Sequence, residues 1–222
     1  MASDLDPEPD DRSRREREQH RRRREILAAA REVFAENGYV HATLDEIAER
    51  ADFGKGTLYN YFPEGKEELL RAVLDNLFED LLTHMEPLHH VPLDDEEAFR
   101  AAVHDYFRRS AYYFYQNQSL FYLLVREAWR LQLSVVENRR AYLRSQLNRS
   151  IEVLGDVVER AISSGAIRSL PVRTFAHFLL LGPVNYIASE EITGWPEDSD
   201  AAADEAAAFL TGLLMDGAKP HP

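Results

Sequence analysis

From residue 22 onward apolar side chains recur at helical spacing. Ile26, Ala30, Val33 and Phe34 mark a first helix that stops at Gly38, a residue suited to a left-handed cap. Thr43-Leu44-Asp45-Glu46 starts the next, since Thr followed three residues later by Glu predicts a capping box. Leu44, Ile47, Ala48 and Ala51 form its apolar face, and Asp52-Phe53-Gly54 breaks it. Lys55 to Phe62 predicts a short third helix with Leu58 and Phe62 inward, four residues apart. After the turn Pro63-Glu64-Gly65, a long helix runs from Lys66 to about His84. His89 to Asp95 is a loop, and the later periodicity predicts helices over 96–117, 119–133, 135–164, 171 to the break at 193–196, and 201–215. No useful strand-like alternation and no internal repeat is present. The predicted fold class is all-α, with about nine helices.

Ahead of this pattern, residues 1–21 have almost no apolar side chain and are expected to be disordered, because they bury nothing to offset their ordering entropy. The expected division is 1–21 an acidic then Arg-rich arm, 22–66 a small helical domain, and 67–222 a larger one. Charge changes the picture at this point. The formal net charge is −13, yet residues 1–11 hold five acids and no base, residues 12–75 balance 13 acids against 13 bases, and residues 76–222 carry a net −8. The acidity therefore lies mostly outside residues 12–75, within which Arg12, Arg14, Arg15, Arg17 and Arg21 to Arg24 form a dense basic run. That run reads either as an arm lying on a nucleic-acid backbone or as a solvated tail.

Thr43 to Phe62 is two short helices joined by a tight turn, the arrangement of a DNA-binding helix-turn-helix. The stretch resembles the TetR family of regulators, whose pattern is similar to T…IA…AGVS.GTLY.HF…K..L. Gly-Thr-Leu-Tyr-x-x-Phe at 56–62 and Lys66 carry the resemblance, which covers residues 22–74. It implies that Lys55, Gly56, Thr57 and Asn60 face the groove. By the same resemblance Tyr59 and Tyr61 hold phosphates, with Thr43 and Lys66 adding phosphate contacts from helix N-termini. Three positions depart from the pattern. Asp52 replaces a turn glycine, Gly54 stands where Ser often caps the recognition helix, and Gly65 lengthens the turn before Lys66 by one residue.

In the second domain, residues 111–122 hold six aromatics in twelve positions, which reads as a core or as a pocket wall. The expected pocket members are His104, Tyr113, Asn117, Tyr122, Arg126 and Trp129. Apolar residues circle the helix from Pro171 to Ala188, and the last helix carries a small-residue stripe. Phe175, Leu179, Tyr186, Ala203, Ala207, Leu210 and Leu214 are accordingly expected at a two-fold dimer interface. Cysteine is absent, which removes disulfides and thiolate metal sites. His89-His90 lacks a helical ligand spacing, and no catalytic or nucleotide fingerprint occurs, so no metal, cofactor or enzyme activity is expected. With no membrane-length apolar run and no secretory leader, a cytoplasmic location is expected. The expected partners are operator DNA, a small-molecule effector and a second copy of the chain. The expected function is a repressor released by a small, largely apolar ligand. The alternatives are an activator, a regulator controlled by a partner protein, or a helical ligand carrier with a vestigial helix-turn-helix.

Overall fold

The computed structural model describes residues 9–132, 137–190 and 194–218, with side chains described over 14–127, 140–190 and 194–216. Ten helical segments follow one another: α1 (Pro9–His41), α2 (Leu44–Arg50), α3 (Lys55–Tyr61), α4 (Lys66–Met85), the single turn α5 (Pro87–His90), α6 (Glu96–Gln116), α7 (Gln118–Gln132), α8 (Glu137–Ser164), α9 (Val172–Glu190) and α10 (Ser199–Ala218). Among the described residues there is no strand, and no helix is long and apolar enough to cross a membrane. The chain divides into two compact units, residues 1–75 and 76–222.

The first correction concerns the N-terminus. Residues 9–21, expected to be disordered, belong to α1, while residues 1–8 lie outside the described residues. A helix with little buried surface is sustained here by its own side chains. Glu18 accepts from Arg21 at 2.7 Å and from Arg22 at 2.7 Å, and Arg21 reaches forward to Glu25 at 2.6 Å. Such i,i+3 and i,i+4 pairs each stabilise an isolated helix by about 0.2–0.5 kcal/mol, and Arg, Glu and Gln are good helix formers. Gly38 then kinks the helix with φ 73° and ψ 160°, a conformation open only to glycine.

The core of the first unit is Ile26, Val33, Phe34, Ile47, Leu58, Phe62 and Leu69, each at most 1% exposed. Arg50 ties α2 to α1 with a bidentate fork on Glu36, at 2.7 and 2.8 Å. Asp52 takes the turn between α2 and α3 at φ 57°, a left-handed conformation that its short polar side chain tolerates. Three carboxylates of this unit are held below their ordinary range: Glu18 at about 2 by its hydrogen bonds from Arg21 and Arg22, Glu36 by Arg50, and Glu46 by Thr43. A depressed carboxylate stabilises the fold fully above its unfolded pKa and loses that contribution as pH falls. Thermal melts of the first unit should therefore be flat from pH 7 to 5 and decline below about pH 4.5. A decline already complete at pH 6 would exclude these carboxylates as its cause.

The second unit is built around α6, which packs against α10 along one side and meets α9 and α7 on others. Phe99, Val103, Tyr106, Phe107, Phe114 and Tyr115 are all buried, so α6 is a central helix. Trp195, in the segment before α10, donates Nε1–H to the carbonyl of Tyr115 at 3.2 Å, and its ring meets Tyr115, Phe121 and Tyr122 at 5.6–5.7 Å. Much of the aromatic run at 111–122 thus serves packing.

Candidate nucleic-acid interface and inner cavity

The third helix presents two unlike faces. Leu58 and Phe62 are each 1% exposed and anchor it, while Tyr59 is 44% exposed and Lys55, Gly56 and Asn60 lie in solvent. Thr57 and Tyr61 are half-buried. A Cβ on Gly56 would meet nothing within 4 Å, so the chain's own packing does not require this glycine. Gly54 starts α3 without a side-chain cap. Lys55 Nζ lies 2.9 Å from Asp45, which raises the lysine's pKa and holds its ammonium beside the exposed face.

Two of the residues expected at phosphates have duties within the fold. The capping box is complete: Glu46 N–H donates to Thr43 Oγ1 at 3.2 Å, and Thr43 N–H donates back to the Glu46 carboxylate at 2.8 Å. Lys66 donates from Nζ to the carbonyls of Ala42 at 2.8 Å and Val40 at 3.2 Å, and sits 4.7 Å from the centre of the Tyr39 ring. It closes the end of α1, where carbonyls lack helical partners. The one-residue lengthening at Gly65 (φ 72°) starts α4 at Lys66 itself. Lys66→Ala is expected to cost about 1–2 kcal/mol of stability, read by denaturant melts, through lost charge-assisted hydrogen bonds. An unchanged midpoint would mean that these carbonyls are equally well solvated.

The arginine run and the third helix share a surface. Arg14, Arg15, Glu18, Gln19 and Arg22 of α1 line a shallow cleft of about 260 Å³ together with Tyr61 of α3. One turn further on, the Arg23 guanidinium lies 5.1 Å above the Phe62 ring. This juxtaposition was hidden in the sequence, because it follows from α1 continuing as a helix back past Arg14.

Unit two contains a cavity of about 220 Å³ with a mostly apolar wall. Phe78 and Leu81 of α4, Tyr106, Ser110 and Phe114 of α6, Leu124 of α7, Leu143 of α8 and Leu180 of α9 contribute to it. The expected pocket residues are elsewhere. Tyr113 donates its hydroxyl to Asp80 at 2.8 Å, Asn117 caps α6 by donating to the Tyr113 carbonyl at 2.8 Å, and Tyr122 packs on Trp195. His104 is half-buried and Arg126 exposed, neither lining the cavity, and the side chain of Trp129 lies outside the described residues. The inward positions 106, 110 and 114 are four apart. From Ala111 to Tyr115 every side chain is aromatic or alanine, so this end of α6 shows no polar face that would set the inward phase against the one carrying 113 and 117.

The residues expected at a dimer interface differ in how far this chain's own core already covers them. Ala203 and Ala207 are 0% exposed, Leu179 is 1% and Leu210 6%, while Phe175, Tyr186 and Leu214 are partly buried against the same core. The small-residue stripe of α10 serves this chain's own packing with α6. The exposed apolar residues of these two helices are Phe178, Phe209 and Leu213, at 59, 56 and 65%.

Comparisons with known proteins accord with this arrangement. Residues 26–73 match the model for bacterial regulatory proteins of the tetR family. The chain is 39% identical over 83 residues, 37% of each protein, to the HTH-type transcriptional activator FasR of Mycolicibacterium smegmatis, so the match spans little more than a third of that relative's length. It is 26% identical over 172 residues, 77% of this chain and 81% of the other, to the fatty acid metabolism regulator protein of Bacillus subtilis. Its fold is similar to the crystal structure of the transcriptional regulator FadR from Bacillus subtilis in complex with stearoyl-CoA, with TM-score 0.66 at 22% identity over 84% of this chain and 96% of that one.

Proposed function

We propose that the chain is a TetR-family transcriptional regulator, as the match of residues 26–73 to that family's model supports, and that it acts in the cytoplasm as a dimer. In this reading it holds a pseudo-palindromic operator through α3 and releases it when a small, largely apolar molecule fills the cavity of the second unit. The observation that carries the reading is the division of α3: Leu58 and Phe62 fix it to the core, while Tyr59 and Asn60 lie on its exposed side. A two-fold axis would set two such helices about 34–36 Å apart, one turn of DNA. A second reading, activation, is favoured by one observation, that the relative from Mycolicibacterium smegmatis is named an activator. A reporter fused to the operator separates the two, since deleting the gene raises expression under repression and lowers it under activation.

The cleft of Arg14, Arg15, Arg22 and Tyr61 supports a phosphate contact by the α1 extension, outside the stretch read by α3. Arg14→Ala with Arg15→Ala should weaken binding to all duplexes alike and lower the salt slope by about 0.9 for each phosphate released. Asn60→Ala should lower operator affinity about 5–100-fold while leaving the non-specific affinity and the slope unchanged. Retardation assays across a salt series read both. A slope unmoved by the arginine changes would return the extension to solvent, and an Asn60→Ala protein with full discrimination would remove α3 as the reading element.

A further inference from the structure

Ser110 is the misfit in the cavity wall. It is 2% exposed, lines the cavity, and its Oγ makes no hydrogen bond. Buried hydroxyls are paired in the great majority of cases, and a serine inside a helix has a ready acceptor in the carbonyl four residues back. Ser150, equally buried on α8, uses that acceptor, donating to Gln146 O at 3.3 Å. Thr211 is also unpaired but does not line this cavity. Among the described residues the wall around Ser110 carries no Asp, Glu, Lys, Arg or His. The Tyr106 phenol, one turn away, lies near Ser110 without closing a hydrogen bond to it, and burial pushes its pKa well above the ordinary range. The buried Glu127 of α7 has a partner and stands outside the wall.

We infer that the cavity takes a short aliphatic chain bearing one uncharged oxygen, an alcohol or ester, which pairs with the Ser110 hydroxyl. This rests on the reading of the cavity as the effector site and deepens it. A dry cavity of about 150 Å³ holds benzene, so 220 Å³ suits a chain of roughly six to ten carbons. Among the described residues of the wall a carboxylate or a phosphate-bearing head meets no cation to compensate its desolvation. Ser110, Tyr106 and Asn185 are the polar residues of the described wall, all uncharged, and of these the Ser110 hydroxyl is the buried one without a partner, so a ligand oxygen that pairs with it replaces an unsatisfied group, whereas a purely apolar chain leaves it unsatisfied.

Calorimetric titration of the full chain with 1-octanol, 1-chlorooctane and octanoate at pH 8, in wild type and Ser110→Ala, tests this. Octanol should bind saturably and more than about 10-fold tighter than octanoate. Ser110→Ala should weaken octanol by about 3–10-fold and leave chlorooctane unchanged. Equal effects of the substitution on both chains, octanoate matching octanol, or no saturable binding would each overturn the inference. An unchanged octanol affinity would do so too, as it would if a bound water kept Ser110 satisfied. Operator retardation in the presence of octanol is read separately. Binding as described with operator affinity unchanged would sink the effector reading and leave the ligand class standing.

Discussion

Replacing Phe209 and Leu213 together by arginine is expected to yield a folded monomer whose operator affinity is lower by about 10²–10⁴-fold. The two residues are four apart on α10, hence on one face, and are 56 and 65% exposed. Tyr186 of α9 meets Phe209 at 5.4 Å between ring centres, and Phe178 of α9 is a third exposed aromatic. Apolar side chains so grouped on adjacent helices suit a partner of the same kind, and the two-fold symmetry expected of operator binding makes a second copy the economical choice. In a dimer their burial would exclude water, and two unpaired arginines per chain would cost several kcal/mol. In the isolated chain they would lie in solvent, so the fold should survive. The loss of affinity follows because one α3 alone makes too few base contacts, and the second half-site acts through effective concentration. Light scattering and retardation on one sample decide it. A protein that stays dimeric with full affinity places the interface elsewhere. The contrasting change, Leu210→Arg, buries a charge in the chain's own core at a position 6% exposed, and should unfold the second unit.

The second large effect is Phe62→Ala, expected to remove about 3–5 kcal/mol from the first unit. Phe62 ends α3, donating its N–H to the Leu58 carbonyl at 2.9 Å, and its ring lies beneath Arg23. It is 1% exposed, and truncation leaves a void that a domain this small closes poorly. With total stabilities of about 5–15 kcal/mol typical of single domains, the loss is a large fraction of what holds the first unit together. Amide exchange resolved by segment should show α2 and α3 losing protection while α6, α8 and α9 keep theirs, with DNA binding lost and cavity binding retained. Protection of α3 within a few-fold of wild type would mean that Phe62 does not anchor it.

What could be read in advance was what is local. The Thr43–Glu46 box and the turn at Asp52 are set by contacts within a few residues, and each appears where its side-chain chemistry predicts, whereas the helix expected to stop at Gly38 in a left-handed cap kinks there at ψ 160° and runs on to His41. The inward pair Leu58 and Phe62 is a period, and periods survive in a single chain. Harder features depended on partners far along the sequence. Lys66 is drawn to carbonyls more than twenty positions earlier, which no spacing announces. Ala203, Ala207 and Leu210 form the stripe that the sequence shows, but a stripe says only that something covers it, and α6 of the same chain does. Ser110 gave no signal at all, since a lone serine among aromatics becomes informative only once its missing partner is seen. The extension of α1 differs from expectation for another reason: the absence of a buried face predicts disorder, but the Glu18–Arg21–Glu25 ladder supplies helical stability without one.

As a dimer holding two copies of α3, this chain is expected to read a two-fold symmetric DNA sequence. Successive rounds of selection from a pool of randomised duplexes, at physiological salt with excess non-specific DNA, measure that property directly. The account predicts enrichment of one inverted repeat whose half-sites are about one helical turn apart, bound at least about 10³-fold tighter than the starting pool, with enrichment lost in Phe209→Arg/Leu213→Arg. A pool that stays unenriched, or converges on an asymmetric single site bound equally well by that variant, would contradict it.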